Sequence, residues 1–168
     1  DLITMAKGLA NGLPMGAVIA NTKVVDGLVK QQINTFGGNP VSSATACAVL
    51  ETIEEEKLMA NALEVGNYLM DGLRDLQKQF PDVIGDVRGK GLMVGMELAD
   101  KNKTQLTKEC AAIVEMAKDE GVVLGKGGLW GNTIRIKPPL TINEQNVDTM
   151  LKVVQKSIEA TVKVGAKA

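Results

Sequence analysis

The chain is predicted to be α/β, a strand-and-loop segment leading into a smaller α+β domain, on three observations. Short apolar runs at Leu2–Thr4 and Gly16–Ala20 flank a glycine-rich loop. A helix-forming passage then extends from Val41 to Gln79, broken only briefly near Lys57. Beyond Pro81, runs with a period of two and apolar stripes at helical spacing follow one another toward the C-terminus. The long helical passage marks a candidate domain boundary, dividing the chain into 1–57 and 58–168.

Taken in order, Leu2–Thr4 and Gly16–Ala20 read as short buried strands and Thr22–Lys30 as a short helix. Val41–Glu56 is rich in alanine, with Asn39 placed to cap it and Pro40 at its first position. The next helix, Leu58–Gln79, carries Leu63, Leu69, Leu73 and Leu76 near helical spacing and stops before Pro81. Val83–Val87 and Leu92–Leu98 form strands joined by Gly89-Lys90-Gly91. Leu106, Cys110, Ile113, Val114 and Ala117 mark a helix ending near Gly121. Val122–Leu124 and Thr133–Ile136 are expected as strands around a glycine-rich loop. Thr141 with Glu144 makes a capping box for a last helix striped by Val147, Met150, Leu151, Val154 and Ile158.

A net charge of -1 without any basic block leaves no footprint for nucleic acid or an anionic membrane surface. No apolar run approaches membrane-spanning length. The two cysteines, Cys47 and Cys110, lie far apart among helix formers, which argues against a metal cluster or a disulfide framework and for a reducing compartment. Histidine is absent, so lysine, arginine and carboxylates must carry any chemistry. The chain opens on Asp1, in mid-strand and without methionine, and so reads as a piece of a longer protein whose targeting peptide, if any, lies outside it.

Three places can carry chemistry. Lys7 follows an apolar run and precedes glycines, a setting that delivers one amine into a closely approached loop. Apolar walls would disfavour its ammonium form and fit it to act as a Schiff-base nucleophile and proton carrier; a solvated loop lysine is the competing reading. Thr35, with Gly37 and Gly38 just ahead of a helix N-terminus, suits a phosphate, while a plain turn with a capped helix explains the same spacing. Arg135 alternates on its strand with Ile134 and Ile136, sharing the other face with Thr133 and Lys137. Its guanidinium can grip a carboxylate through two parallel hydrogen bonds; a salt-bridged surface arginine is the alternative. Gly125-Lys126-Gly127-Gly128 lacks the residues and spacing of a P-loop and reads as a mobile turn. Arg88, Lys90 and Glu97 read as hairpin and charge-pair residues, and Glu51, Glu54, Glu55 and Glu56 as a solvated helix face.

The segment Asp1–Gly16 resembles the pyridoxal-phosphate lysine segment of the class III aminotransferases, with Asn34–Pro40 following at about the family's distance. Arg88–Glu97 and Arg135–Leu140 match two further family signatures in the right order, and the wording is closest to the alanine–glyoxylate branch. The resemblance implies the end of a fold-type I large domain followed by the small domain. It also implies pyridoxal 5′-phosphate as cofactor, Lys7 as the Schiff-base lysine, Thr35 and Gly37 at the cofactor phosphate, and Arg135 on the substrate carboxylate. The reaction implied is amino transfer from alanine to glyoxylate, with small amino acids and oxo acids as substrates. Because the matching threonine serves the neighbouring subunit's pocket, a homodimer or homotetramer is expected, in the mitochondrion by resemblance or otherwise in the cytoplasm. No metal, nucleic acid or membrane enters.

An Asp for the pyridinium nitrogen, an aromatic on the ring and small phosphate donors are expected upstream. Two alternatives remain beside this reading. One is an ω-aminotransferase working on β-alanine or 3-aminoisobutyrate with pyruvate. The other is a truncated, inactive chain acting only as an interaction or oligomerisation module, with exposed strand edges that pair readily.

Overall fold

A computed structural model of the chain describes residues 1–28, 30, 31 and 33–165, with side chains through residue 162. It contains two compact units, Asp1–Leu58 and Met59–Ala168.

In the first unit, β1 (Leu2–Ala6) and β2 (Gly16–Ala20) form an antiparallel hairpin in the register Leu2↔Ala20 through Ala6↔Gly16. A 3-10 turn, Lys7–Ala10, leaves the end of β1. The helix α1 spans only Thr22–Val25, capped by Asn21, whose Oδ1 accepts from Val24 N at 3.1 Å. The longer helix expected to Lys30 is not formed over the described residues. None of its residues is buried and Gly27 follows, so neither packing nor propensity sustains further turns. Residue 29 of that span lies outside the described residues. Helix α2 (Pro40–Glu55) begins as expected, with Asn39 Oδ1 accepting from Ser42 N at 3.0 Å and Pro40 in the first turn. The expectation of buried strands fails: Leu2, Ile3, Val18 and Ile19 are each more than half exposed. Among the described residues this sheet has two strands only, and a two-stranded ribbon has too little surface to bury both of its faces.

The second unit is α+β. Helix α3 (Leu58–Gln79) is followed by β3 (Ile84–Lys90), β4 (Met93–Leu98), α4 (Thr107–Asp119), β5 (Gly125–Gly127), β6 (Thr133–Ile136) and α5 (Glu144–Gly165). The four strands lie in the order β3-β4-β6-β5, every pair antiparallel. One face carries Val87, Val94, Met96, Ile134 and Ile136 into a core shared with Leu69 and Leu73 of α3, Ile113 of α4 and Val154 and Ile158 of α5. The opposite face bears charged residues and glycines. Leu63, expected in the apolar stripe of α3, is instead 57% exposed, because the buried stripe runs through Val65, Leu69, Leu73 and Leu76 and Leu63 falls on the opposite face of the helix.

Four further expectations are corrected. The strand expected at Val122–Leu124 forms three residues later, at Gly125–Gly127. Val122 N is spent on closing α4 against Ala117 O, and Val123 is exposed. The Gly125–Gly128 run is thus mostly an edge strand, paired Gly125↔Arg135 and Gly127↔Thr133, and not a mobile turn. The last helix is capped by Asn143, whose Oδ1 accepts from Asn146 N at 3.0 Å, whereas Thr141 sits in the preceding turn. The turn between β3 and β4 is tighter than expected, with Lys90 already paired to Met93 and Gly91 at φ 55°. There α3 comes so close that a methyl group on Gly66 would lie 2.4 Å from the carbonyl carbon of Gly91. No helix of the described residues is long and apolar enough to cross a membrane.

Candidate active site

Lys7 stands at the junction of β1 and the 3-10 turn in the left-handed region, with φ 57°. A non-glycine residue held there costs roughly 1–2 kcal/mol, and such strain collects where a side chain must be aimed. Asn11, also left-handed at φ 43°, closes the turn, its N–H donating to Gly8 O. The lysine is exposed and forms no ion pair with a described residue, so the apolar walls expected around it are not present. The exposure follows from the hairpin's bare faces. The turn itself is anchored: it packs against α2, Ala10, Ser42 and Ala46 are buried, and Ser42 Oγ donates to Pro14 O at 3.2 Å. The lysine loop and the first turn of α2 are therefore held together.

Thr35 lies in the turn that leads into α2. Asn34 organises this turn: its Oδ1 accepts from Phe36 N at 3.2 Å and its carbonyl from Gly37 N at 3.1 Å. Asn39 Nδ2 closes back on Phe36 O at 3.1 Å. Gly38 takes φ 69°, where a side chain would be strained. Gly37 has its N–H spent on Asn34, and a methyl group in its place would press on Asn34 Cγ at 3.1 Å. Gly37 thus has its donor and its side-chain space both turned to Asn34, and it serves to shape the turn that carries Thr35. The Thr35 hydroxyl is exposed and makes no hydrogen bond with a described residue.

Arg135 belongs to the second unit, on the open face of the sheet. The register aligns four positions across the strands on this face: Arg88, Gly95, Arg135 and Gly125. Arg88 is committed, with Nη1 at 2.6 Å from Asp86 Oδ2 and 2.8 Å from Glu97 Oε2. Asp86, and then Glu97, raise its already high pKa. Arg74 is paired with Asp71 at 3.2 Å. Of the three arginines of the chain, Arg135 alone has no carboxylate partner among the described residues, and it is exposed. The surface salt-bridge alternative therefore has no support, while Ile134 and Ile136 go into the core as the alternation requires. Thr133 shares the open face yet is buried, crowded between Gly95 and Gly128.

No group of cysteines and carboxylates able to hold a metal ion occurs among the described residues. Both cysteines are free, and burial pushes the Cys110 thiol up, away from reactivity. What sequence reasoning missed is the strain at Lys7 and the glycines flanking Arg135. The former had a faint signal, a lysine directly before Gly8 where the chain must turn; the latter required the strand register.

The profile of the family described as Aminotransferase class-III matches residues 1–158. The chain belongs to the class III aminotransferases. It is 44% identical over 161 residues to alanine–glyoxylate aminotransferase 2 homolog 2, mitochondrial, of Arabidopsis thaliana, covering 94% of this chain and 34% of that protein. With alanine–glyoxylate aminotransferase 2, mitochondrial, of Homo sapiens it shares 40% over 163 residues, covering 94% of this chain and 32% of that one. Among solved structures it resembles a phospholyase from Arthrobacter in complex with phosphoethanolamine, at TM-score 0.89 and 33% identity, covering 94% of this chain and 38% of the other. A Bacillus anthracis aminotransferase matches at TM-score 0.87 and 31% identity, over 95% of this chain and 39% of that one. The mixed α/β fold is thus that of this class of aminotransferases, and the chain spans about a third of the length of the curated relatives it matches.

Proposed function

We propose that the chain contributes to a pyridoxal-phosphate-dependent transaminase that passes an amino group from alanine to glyoxylate. The observation that carries the substrate side of this reading is Arg135, a guanidinium without a carboxylate partner among the described residues, on an open sheet face where Arg88 is saturated. A planar fork without an internal partner is the group best suited to hold an amino-acid carboxylate in one orientation.

The residues present also fit the cofactor. Lys7 offers an accessible amine on a strained, anchored turn, and Thr35 offers a hydroxyl without a partner among the described residues, ahead of the 16-residue helix α2. A helix N-terminus favours phosphate. In this reading Lys7 would hold the group through Nζ, Thr35 would donate to the phosphate of the cofactor in the neighbouring subunit's pocket, and Gly37 would shape the turn that presents Thr35. When bound, the cofactor supplies an electron sink for the carbanion left at the substrate's Cα. Lys7 Nζ, once free, takes the Cα proton, since the chain has no histidine to do so. Arg135 fixes the carboxylate so that the Cα–H bond stays aligned.

In the same reading residues 1–57 close the large domain and 58–168 form the connecting helix and the small domain. The active unit is a homodimer or homotetramer in which Thr35 serves the neighbouring pocket, and the compartment is the mitochondrion, a placement supported by the names of the plant and human relatives. An ω-amino donor is the second reading, favoured by 36% identity over 158 residues to 5-aminovalerate aminotransferase DavT of Pseudomonas putida.

Arg135→Lys in the full-length protein tests the assignment. For alanine, kcat/KM of the half-reaction should fall by about tenfold to a thousandfold, or roughly 1.4–4 kcal/mol of transition-state stabilisation. Isopropylamine, which has no carboxylate, should be much less affected. Equal losses for both donors would make Arg135 a structural residue, and a selective loss with 5-aminovalerate but not with alanine would favour the ω-amino reading.

A further inference from the structure

The side chain of Arg135 does not stand midway between its two glycine neighbours. A methyl group built on Gly125 would lie 3.2 Å from the Arg135 carbonyl oxygen, 3.3 Å from its Nε and 3.5 Å from its Cβ, whereas one built on Gly95 would meet Thr133 Cγ2 at 3.4 Å and no atom of Arg135. The arginine stem is therefore laid over the bare backbone of the edge strand β5, away from β4. On the β4 side waits a carboxylate: Glu97 is paired across the sheet with Thr133, which places it diagonal to Arg135 on the same face. Diagonal positions lie about 7–8 Å apart, within reach of a long side chain. At present Glu97 is taken by Arg88 at 2.8 Å.

Resting on the reading of Arg135 as the carboxylate clamp, we propose that Gly125 is its positioning residue. By presenting no side chain, Gly125 lets the arginine lean over β5, out of reach of Glu97, and so keeps the guanidinium available to substrate. A side chain at 125 would push the fork toward β4, where Glu97 can share itself between two arginines and neutralise the clamp from within. Gly95 leaves the intervening space open but does not set the lean.

The probe is propionate, which has alanine's carboxylate and lacks its amine, titrated calorimetrically into the full-length enzyme. Arg135→Lys, Gly125→Ala, Gly95→Ala and the double variant Gly125→Ala/Glu97→Gln are compared, with thermal unfolding as a check that each folds. Gly125→Ala should weaken propionate about tenfold, as expected when one charge-assisted hydrogen bond is lost. Gly95→Ala should bind as wild type does, and Glu97→Gln should restore most of the lost affinity in the double variant. A rescue of this kind is not expected if residue 125 merely supports the strand. Unchanged propionate binding in Gly125→Ala, or a loss that Glu97→Gln does not repair, overturns the proposal. If Arg135→Lys itself leaves propionate binding unchanged, the clamp reading fails first; if Arg135→Lys weakens binding and Gly125→Ala does not, only the positioning role is lost.

Discussion

At Lys7 the backbone bears a cost that a different residue would avoid. With φ 57°, a lysine loses roughly 1–2 kcal/mol that glycine would not, and glycine gives back about 0.5–1 kcal/mol through the greater freedom of its unfolded chain. Lys7→Gly should therefore leave the cofactor-free protein equally stable or about 1 kcal/mol more stable in urea unfolding while abolishing amino transfer. A clear loss of stability would show that the lysine is held for structure. At Thr35 the expected effect is on retention: Thr35→Ala should weaken pyridoxal phosphate by about 1.5–3 kcal/mol in a titration, the range for a hydrogen bond to a charged group, and Thr35→Ser should retain most of it. Equal affinity in wild type and Thr35→Ala would leave the Asn34–Asn39 turn as a capped turn only. Lys7 and Arg135 stood out in the sequence through their local company, glycines in one case and alternating isoleucines in the other. Their surroundings did not. The exposure of Lys7 depends on what covers a hairpin, and the solitude of Arg135 depends on Arg88 having drawn in Asp86 and Glu97 from its own strand and from β4.

The elements that sequence periodicity reveals best are those that bury a continuous stripe, as α3, α4 and α5 do through Leu69, Ile113 and Val154. Where burial does not organise the chain, periodicity carries little information. Strand β5 is Gly-Lys-Gly, a composition with little strand preference, and it exists because β6 offers it hydrogen bonds. Asn143 displaced Thr141 as the cap because both residue types accept from helix N–H groups and only the geometry of the preceding turn chooses between them. The approach of α3 to the β3–β4 turn was equally invisible, since it joins Gly66 to Gly91 across 25 residues of sequence. A methyl group at 66 would meet backbone, which has little room to give. Gly66→Ala should accordingly destabilise by about 3 kcal/mol, the upper end of the overpacking range, in chemical denaturation. A change below about 0.5 kcal/mol, the level of an ordinary surface substitution, would mean that the helix can withdraw from the turn at little expense.

For the whole molecule, the two compact units differ in how they are made. Met59–Ala168 closes a core of its own, whereas Asp1–Leu58 presents Leu2, Ile3, Val18 and Ile19 to solvent on a two-stranded hairpin. Exposed apolar strand faces of this kind are surfaces for further sheet or helix, in keeping with relatives about three times as long. The class of fold was legible because four motifs fall in family order along the chain; the bare hairpin was not, because an apolar strand reads as buried whether or not its cover is present. In the proposed function Lys7 carries the transfer of an amino group between two small acids. The most direct test of that role is to incubate the full-length protein with nitrogen-15-labelled alanine and glyoxylate and to follow the label by mass spectrometry. Wild type should give labelled glycine and an equal amount of pyruvate, and Lys7→Ala should do so at a rate lower by about a thousandfold or more, as for loss of a covalent nucleophile that also moves the proton. Glycine labelled at the same rate by both proteins would contradict that role of Lys7.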